Sequence, residues 1–309
     1  MICNAALING FWSDQNRQQP PMLIIIDPPC NQRQTERPIM SELLARKTLR
    51  ASSLVTMTLF GMVLVSLGLQ RQALAQGTDM SAEDAKQYQD CLKLARLKPE
   101  DGFESAIAWR DMGGGEPAKH CVAVALIALE KYEEAATRLD ALADESTSPQ
   151  QVVAGLLAQA GQSWMMAGNL EFAWRDQSRA LGIVKNDPTL WVDRAMVLGM
   201  AGQYWDSIDD LNNALDLDPN NVEALIYRGT AWRMLETYDL AMTDIQRALE
   251  LSPQNIQALF ERANLHRINK DNDLARQDYL TVIENSNGTP VADAARANIE
   301  KMDVQTGSE

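Results

Sequence analysis

The sequence predicts an all-α protein built as a solenoid of antiparallel helix pairs, and three observations carry that expectation. A block of 34 residues recurs through the C-terminal half: Pro219 and Pro253 lie one period apart, as do Tyr204 and Tyr238, Ala214 and Ala248, Leu215 and Leu249. Within a block the apolar residues fall at helical spacing, as in Leu190, Val197, Leu198 and again Ile208, Leu211, Leu215. Loop-forming residues separate these stretches at fixed places, Ala201-Gly202-Gln203 inside a block and Asp218-Pro219-Asn220-Asn221 between blocks. A single helix pair cannot bury its own apolar face, so the pairs have to stack.

The elements follow in chain order. Residues 1–39 hold Pro20-Pro21, Pro28-Pro29 and Pro38 among many Gln and Asn, with no sustained helix or strand period. They read as an upstream extension, with a natural start at Met40. Residues 40–75 then form a leader: Arg46, Lys47 and Arg50 precede an uncharged run from Ala51 to Gln70, and Ala73-Leu74-Ala75 supplies a small-x-small site for cleavage between Ala75 and Gln76. A rival reading keeps the run as a membrane anchor preceded by a cytoplasmic arm, although Ser52, Ser53, Thr56, Thr58 and Ser66 dilute it. Residues 76–81 are a linker. Residues 82–153 are expected to hold two weaker helical units, the first with helices near 85–97 and 99–112 before the Gly113-Gly114-Gly115 break. The second places Ala123, Tyr132, Ala135 and Leu142 in register, and residues 150–153 interrupt the period. Four good blocks fill 154–289, starting at Ala154, Pro188, Val222 and Ile256. Residues 290–302 read as a last helix capping the open end, and 303–309 as a polar, frayed tail.

Within the blocks a large residue stands at the fourth place, small ones at the eighth, twentieth and twenty-seventh, and Pro near the thirty-second. Trp191, Ala195, Ser207, Leu211, Ala214 and Pro219 carry this pattern in the best block, which resembles the tetratricopeptide repeat. The resemblance, to the exported bacterial type, implies a right-handed superhelix whose first helices line a concave groove with places 2, 5, 9, 12 and 13. On this chain those places nominate Met165, Met166, Val192, Met196, Met200, Ile226, Arg233, Met234, Phe260 and Arg267. The expected groove is apolar and methionine-rich, with Arg233 and Arg267 as its basic spot. One branch of the family clamps acidic C-terminal peptides, but Val192, Ile226 and Phe260 replace the polar fifth-place residues, and Asp193 and Glu261 would repel a carboxylate. The implied partner is therefore a protein, taken through an apolar helix or extended segment. The methionines have a plainer alternative as packing for the array itself.

Charge and chemistry narrow the function further. Residues 76–309 hold 38 acidic against 21 basic residues, a net charge of −17, which disfavours nucleic acid and anionic membrane surfaces. Cys91 and Cys121 are the only cysteines after the leader; in an oxidising compartment they would bond, and otherwise they would serve as small buried thiols. Of the two histidines, His120 adjoins Cys121 but neighbours on a helix point about 100° apart, unlike a nucleophile and its base. His266 occupies the eleventh place, a packing position shared by Trp164, Leu198 and Trp232. Asp216-x-Asp218-x-Asn220 and Asn269-x-Asp271-x-Asp273 open like calcium loops, yet neither completes the ligand set, so both are expected to be turns. No cofactor, metal or small-molecule substrate is expected, and the leading function is a non-enzymatic scaffold in the periplasm of the cell envelope. The alternative is a membrane-anchored assembly factor that retains residues 40–75.

Overall fold

A computed structural model of the chain describes residues 82–306, all but the loops helical. The expected extension, leader and cleavage site at Ala75 and Gln76 lie outside the described residues. The helices are α1 (Ala82–Leu97), α2 (Pro99–Asp111), α3 (Gly115–Ala128), α4 (Tyr132–Glu145), α5 (Gln150–Met166), α6 (Leu170–Ile183), α7 (Pro188–Met200), α8 (Tyr204–Leu217), α9 (Val222–Met234), α10 (Tyr238–Leu251), α11 (Ile256–Ile268), α12 (Asn272–Asn285) and α13 (Pro290–Thr306). Gln87 begins the compact unit that holds the remaining helices. Each helix from α2 to α12 packs on its successor, giving an all-α array of helix pairs. In addition the first helices of successive pairs touch one another, α5 with α7, α7 with α9, α9 with α11 and α11 with α13.

The repeat has a physical basis at a spacing of 16 residues, which joins the two helices of a pair. The small eighth place faces a larger residue at place 24, as Gly161 with Gln177 and Gly229 with Ile245, and the equivalent Ala195, Leu211, Ala263 and Tyr279 belong to the same buried core. At Gly229 an added Cβ would lie 2.9 Å from Ile245 Cδ1, so this side chain fills the space a methyl would need. One residue earlier, the seventh place supplies Arg to an Asp at place 23. Arg194 grips Asp210, Arg228 grips Asp244 and Arg262 grips Asp278, each through two donors at 2.7–2.8 Å. Arg194 and Arg228 also donate to Ser178 and Asn212 on the second helix of the preceding pair, so each guanidinium ties two pairs together. In the first good block Ala160 stands at the seventh place. There the wholly buried Asp176 takes Arg175 instead, while Arg175 and Arg179 reach back to Asp140 on α4.

Both kinds of loop repeat as well. The residue at place 15 is left-handed in each pair from α3 to α12: Gly168 and Gly202 at φ 79° and 75°, but Glu236 and Lys270 at φ 58° and 67°, with Glu130 equivalent at 57°. Asn169 N–H donates to Trp164 O and Gln203 N–H to Leu198 O, closing the first helix with the bonds that a left-handed residue makes possible. Between pairs, Asp187, Asn221 and Asn255 cap the next helix by accepting from the backbone of Thr189, Ala224 and Ala258. Asp218, a candidate metal ligand by sequence, accepts from Asn220 N–H inside this turn, and Asn220 accepts from Arg247.

The ends carry their own devices. Cys91 on α1 is bonded to Cys121 on α3. An added Cβ on Gly102 would lie 2.4 Å from Ala95 Cα, so α1 and α2 touch at backbone distance. Glu116 binds the loop between α4 and α5, accepting from the hydroxyls of Ser146 and Ser148 and from Thr147 N–H; these bonds hold its carboxyl below the usual range although burial opposes them, and residues 150–153, expected to interrupt the period, form the first turn of α5. At the other end α13 runs four residues beyond the expected stop at Met302. Arg276 of α12 pairs with Asp303, which holds that extra turn in place.

Candidate functional site

Places 2, 6, 9 and 13 of a first helix lie four, three and four residues apart, which puts them on one stripe of a helix. Because the first helices touch side by side, these stripes join into one wall across α5, α7, α9 and α11. Contacts along the wall run from the ninth or twelfth place of one first helix to the sixth place of the next. Gln162 Nε2 donates to Asp193 Oδ2 at 3.0 Å, and Arg233 Nε donates to Glu261 Oε2 at 2.7 Å. Toward the C-terminal end Tyr279 hydroxyl donates to Asn264 Oδ1, and Asn298 of α13 donates to both. Asn298 thus stands where a further first helix would place its ninth residue, one period after Asn264.

The nominated groove residues divide. Val192, Ile226 and Phe260 at the fifth place are buried, as are Met165, Met196 and Arg233, and all but Arg233 belong to the apolar core. Met166, Met200 and Met234 at the thirteenth place, with Arg267, are half-buried. This corrects two expectations. Apart from the methionines the wall is polar rather than apolar, because the fifth place packs into the apolar core, while at the sixth Asp193 and Glu261 are buried and Gln159 and Tyr227 half-buried. The basic spot is also lost at Arg233, whose side chain is 3% exposed and is matched against Glu261. Arg267 lies beside Tyr279 and lowers its hydroxyl's pKa against the stronger upward push of burial.

Asp193 is the most perturbed acid on the wall. It is 6% exposed, and burial pushes its carboxyl up to about 7; Glu223 and Asp187 add repulsion, and Gln162 only partly offsets this. Burial also raises Glu223, and burial with these two acids raises the Tyr227 hydroxyl. Beside them an apolar cleft opens between α7, α8 and α9, lined by Ala195, Met196, Gly199, Tyr204, Tyr227 and Ala231.

Neither histidine sits in a nucleophilic arrangement. Tyr88 hydroxyl donates to His120 Nδ1 at 2.6 Å, and His120 Nε2 donates to Gln159 Oε1 at 2.9 Å. Burial lowers the His120 pKa, so the neutral ring, one nitrogen accepting and one donating, links α1, α3 and α5. His266 is half-buried, its Nδ1 3.9 Å from Asp271. Sequence reasoning missed the Arg–Asp ladder and used the acidic sixth place only against an acidic partner, without its burial. Both were visible as Arg194, Arg228, Arg262 and as Asp193, Glu261 at the 34-residue period.

A family model described as tetratricopeptide repeat matches residues 192–256, from within α7 to the start of α11. A comparison with curated proteins finds none that matches. Among solved structures, the APC/C hetero-tetramer Cut9-Hcn1 is similar with a TM-score of 0.54 at 17% identity, over 71% of this chain and 46% of that one. YrrB, described as a TPR protein with an unusual peptide-binding site, aligns at 15% identity and TM-score 0.45, over 57% of this chain and 95% of that one. The Arabidopsis OM64 TPR domain aligns at 24% identity and TM-score 0.38, over 38% of this chain and 98% of that one. At 17% identity the likeness to Cut9-Hcn1 speaks to the fold.

Proposed function

The chain is a tetratricopeptide-repeat protein, and from that premise we propose that it is a non-enzymatic scaffold that holds a segment of another protein against the wall of its first helices. One observation carries this reading. The first helices touch in sequence from α5 to α13, so their outward places form an unbroken surface that a single extended or helical segment can follow. Half-buried Met166, Met200 and Met234 recur on it once per pair, and methionine adapts to varied apolar contacts.

The proposed location is the cell envelope, after export and cleavage at Ala75. Its supports are the leader pattern of residues 40–75 and the Cys91–Cys121 bond, since disulfides persist in oxidising compartments. The uncharged run from Ala51 to Gln70 keeps a second reading in view, an assembly factor anchored through residues 40–75. Among the described residues no helix is long and apolar enough to cross a membrane. Sequencing the N-terminus of the exported product separates the two readings, a start at Gln76 removing the anchor.

The wall itself is tested by photocrosslinking from Met200 and Met234, which are half-buried, rather than from Met196 or Ile226, which are not accessible. Capture of a partner from these positions and not from Gln246 on the outer surface of α10 is the expected result. Capture from Gln246 alone would defeat the proposal.

A further inference from the structure

On the wall, Asp193 and Glu261 occupy the same sixth place two pairs apart, and only one of them has a cation. Glu261 is met by Arg233, the twelfth residue of the preceding first helix, at 2.7 Å. Counting back the same 28 residues from Asp193 reaches Met165, which carries no charge. Asp193 is as thoroughly enclosed as a paired acid, yet its Oδ2 has only the Gln162 amide and its Oδ1 has no hydrogen bond. A buried carboxylate is ordinarily matched by an opposite charge, as Asp210, Asp244 and Asp278 are in this chain. No Lys or Arg stands at places 2, 6, 9 or 13 of α5, α7, α9 or α11.

We propose that the partner segment, if the wall is the binding face as read above, carries a lysine or arginine whose cation sits between Asp193 and Glu223. It supplies from outside what Arg233 supplies to Glu261 within the chain. The cleft beside Met196 and Tyr227 is shallow, with room for about one water, so the aliphatic stem lies across its apolar mouth, where Gly199 presents no side chain. This partner is opposite in charge to an acidic tail.

The groups that set the acid's behaviour are Glu223 and Tyr227 from α9, Asp187 at the start of α7 and uncharged Gln162 from α5. A bound cation favours the ionised carboxylate, so binding releases a proton near neutrality. A carboxyl titrating at about 7 goes from about 0.1 ionised at pH 6 to about 0.9 at pH 8, which predicts affinity rising about tenfold over that interval.

The test uses the full chain and three labelled, end-blocked peptides in which leucine alternates with lysine, glutamine or glutamate, read by fluorescence anisotropy at pH 6 and pH 8. The lysine peptide is expected to bind, about tenfold more tightly at pH 8, and the glutamate peptide not to bind. Asp193→Asn should weaken the lysine peptide about tenfold at pH 8 and flatten its pH profile, and Glu223→Gln should weaken it less; both variants remove charge from buried positions and keep the side-chain shape. Failure of the lysine peptide to bind, equal binding of all three, or an unchanged pH profile in Asp193→Asn would each overturn the proposal. A photoreactive group on the bound peptide separates the two levels. Attachment at Met200 or Met234 without charge preference sinks the cation and leaves the wall, whereas attachment to the outer surface of α8 or α10 sinks both.

Discussion

Replacing Asp193 by Asn is expected to stabilise the chain, and to do so more at pH 8 than at pH 5. The folded carboxyl is raised from 3.8 to about 7, so the folded state holds a proton that the unfolded state releases. Well below 3.8 both states are protonated and the acid costs nothing. As pH rises the folded state loses ground, and the loss is complete only above the folded value, near pH 8. A displacement of this size corresponds to about 4 kcal/mol at pH 8 and to about 1.5 kcal/mol at pH 5. Asparagine keeps an oxygen for Gln162 Nε2 and titrates nowhere. Its advantage over the parent should therefore grow by about 2.5 kcal/mol between the two pH values. Urea unfolding followed by circular dichroism, parent and variant at pH 5 and pH 8, measures this directly. An advantage equal at both values, or a variant less stable than the parent at pH 8, would refute a buried, cation-free carboxyl at this place.

Arg228→Met strips the buried Asp244 of both its bonds and breaks the link to Asn212, so it should cost about 2 kcal/mol in chemical denaturation, part of which Asp244→Leu in the same chain should restore. Glu236→Gly relieves a left-handed, exposed residue and should raise the unfolding midpoint by the equivalent of about 0.5 kcal/mol, with no gain from Gly at Gln246 in mid-helix. Reducing Cys91–Cys121 should cost about 2 to 4 kcal/mol locally, seen as proteolysis within α1 and α2 while α7 to α12 stay protected. Gly102→Ala should drive α1 from α2 and produce the same proteolytic pattern with the disulfide intact.

The array itself was legible because its signals are local and repeated. A small residue at the eighth place, a left-handed turn at the fifteenth and an Asn or Asp cap at the thirty-fourth recur in blocks whose other places mostly vary, and the period survives substitution at any one of them. The wall was less legible, since the angle at which first helices meet decides how deeply the fifth and sixth places are buried. Ile226 and Tyr227 are neighbours in sequence, yet one is core and the other borders a cleft.

The sequence by itself determined that this chain is a stack of helix pairs with Cys91 and Cys121 placed to join the first helix to its neighbours. Periodicity, small residues and turn chemistry act over a few residues and need no distant partner. Tertiary structure alone decided which charges are matched. Arg233 finds Glu261 across 28 residues while Asp193, at the same place, finds only an amide. That difference depends on what the adjacent helix presents, because the cost of a buried charge is set by its surroundings rather than by its own chemistry.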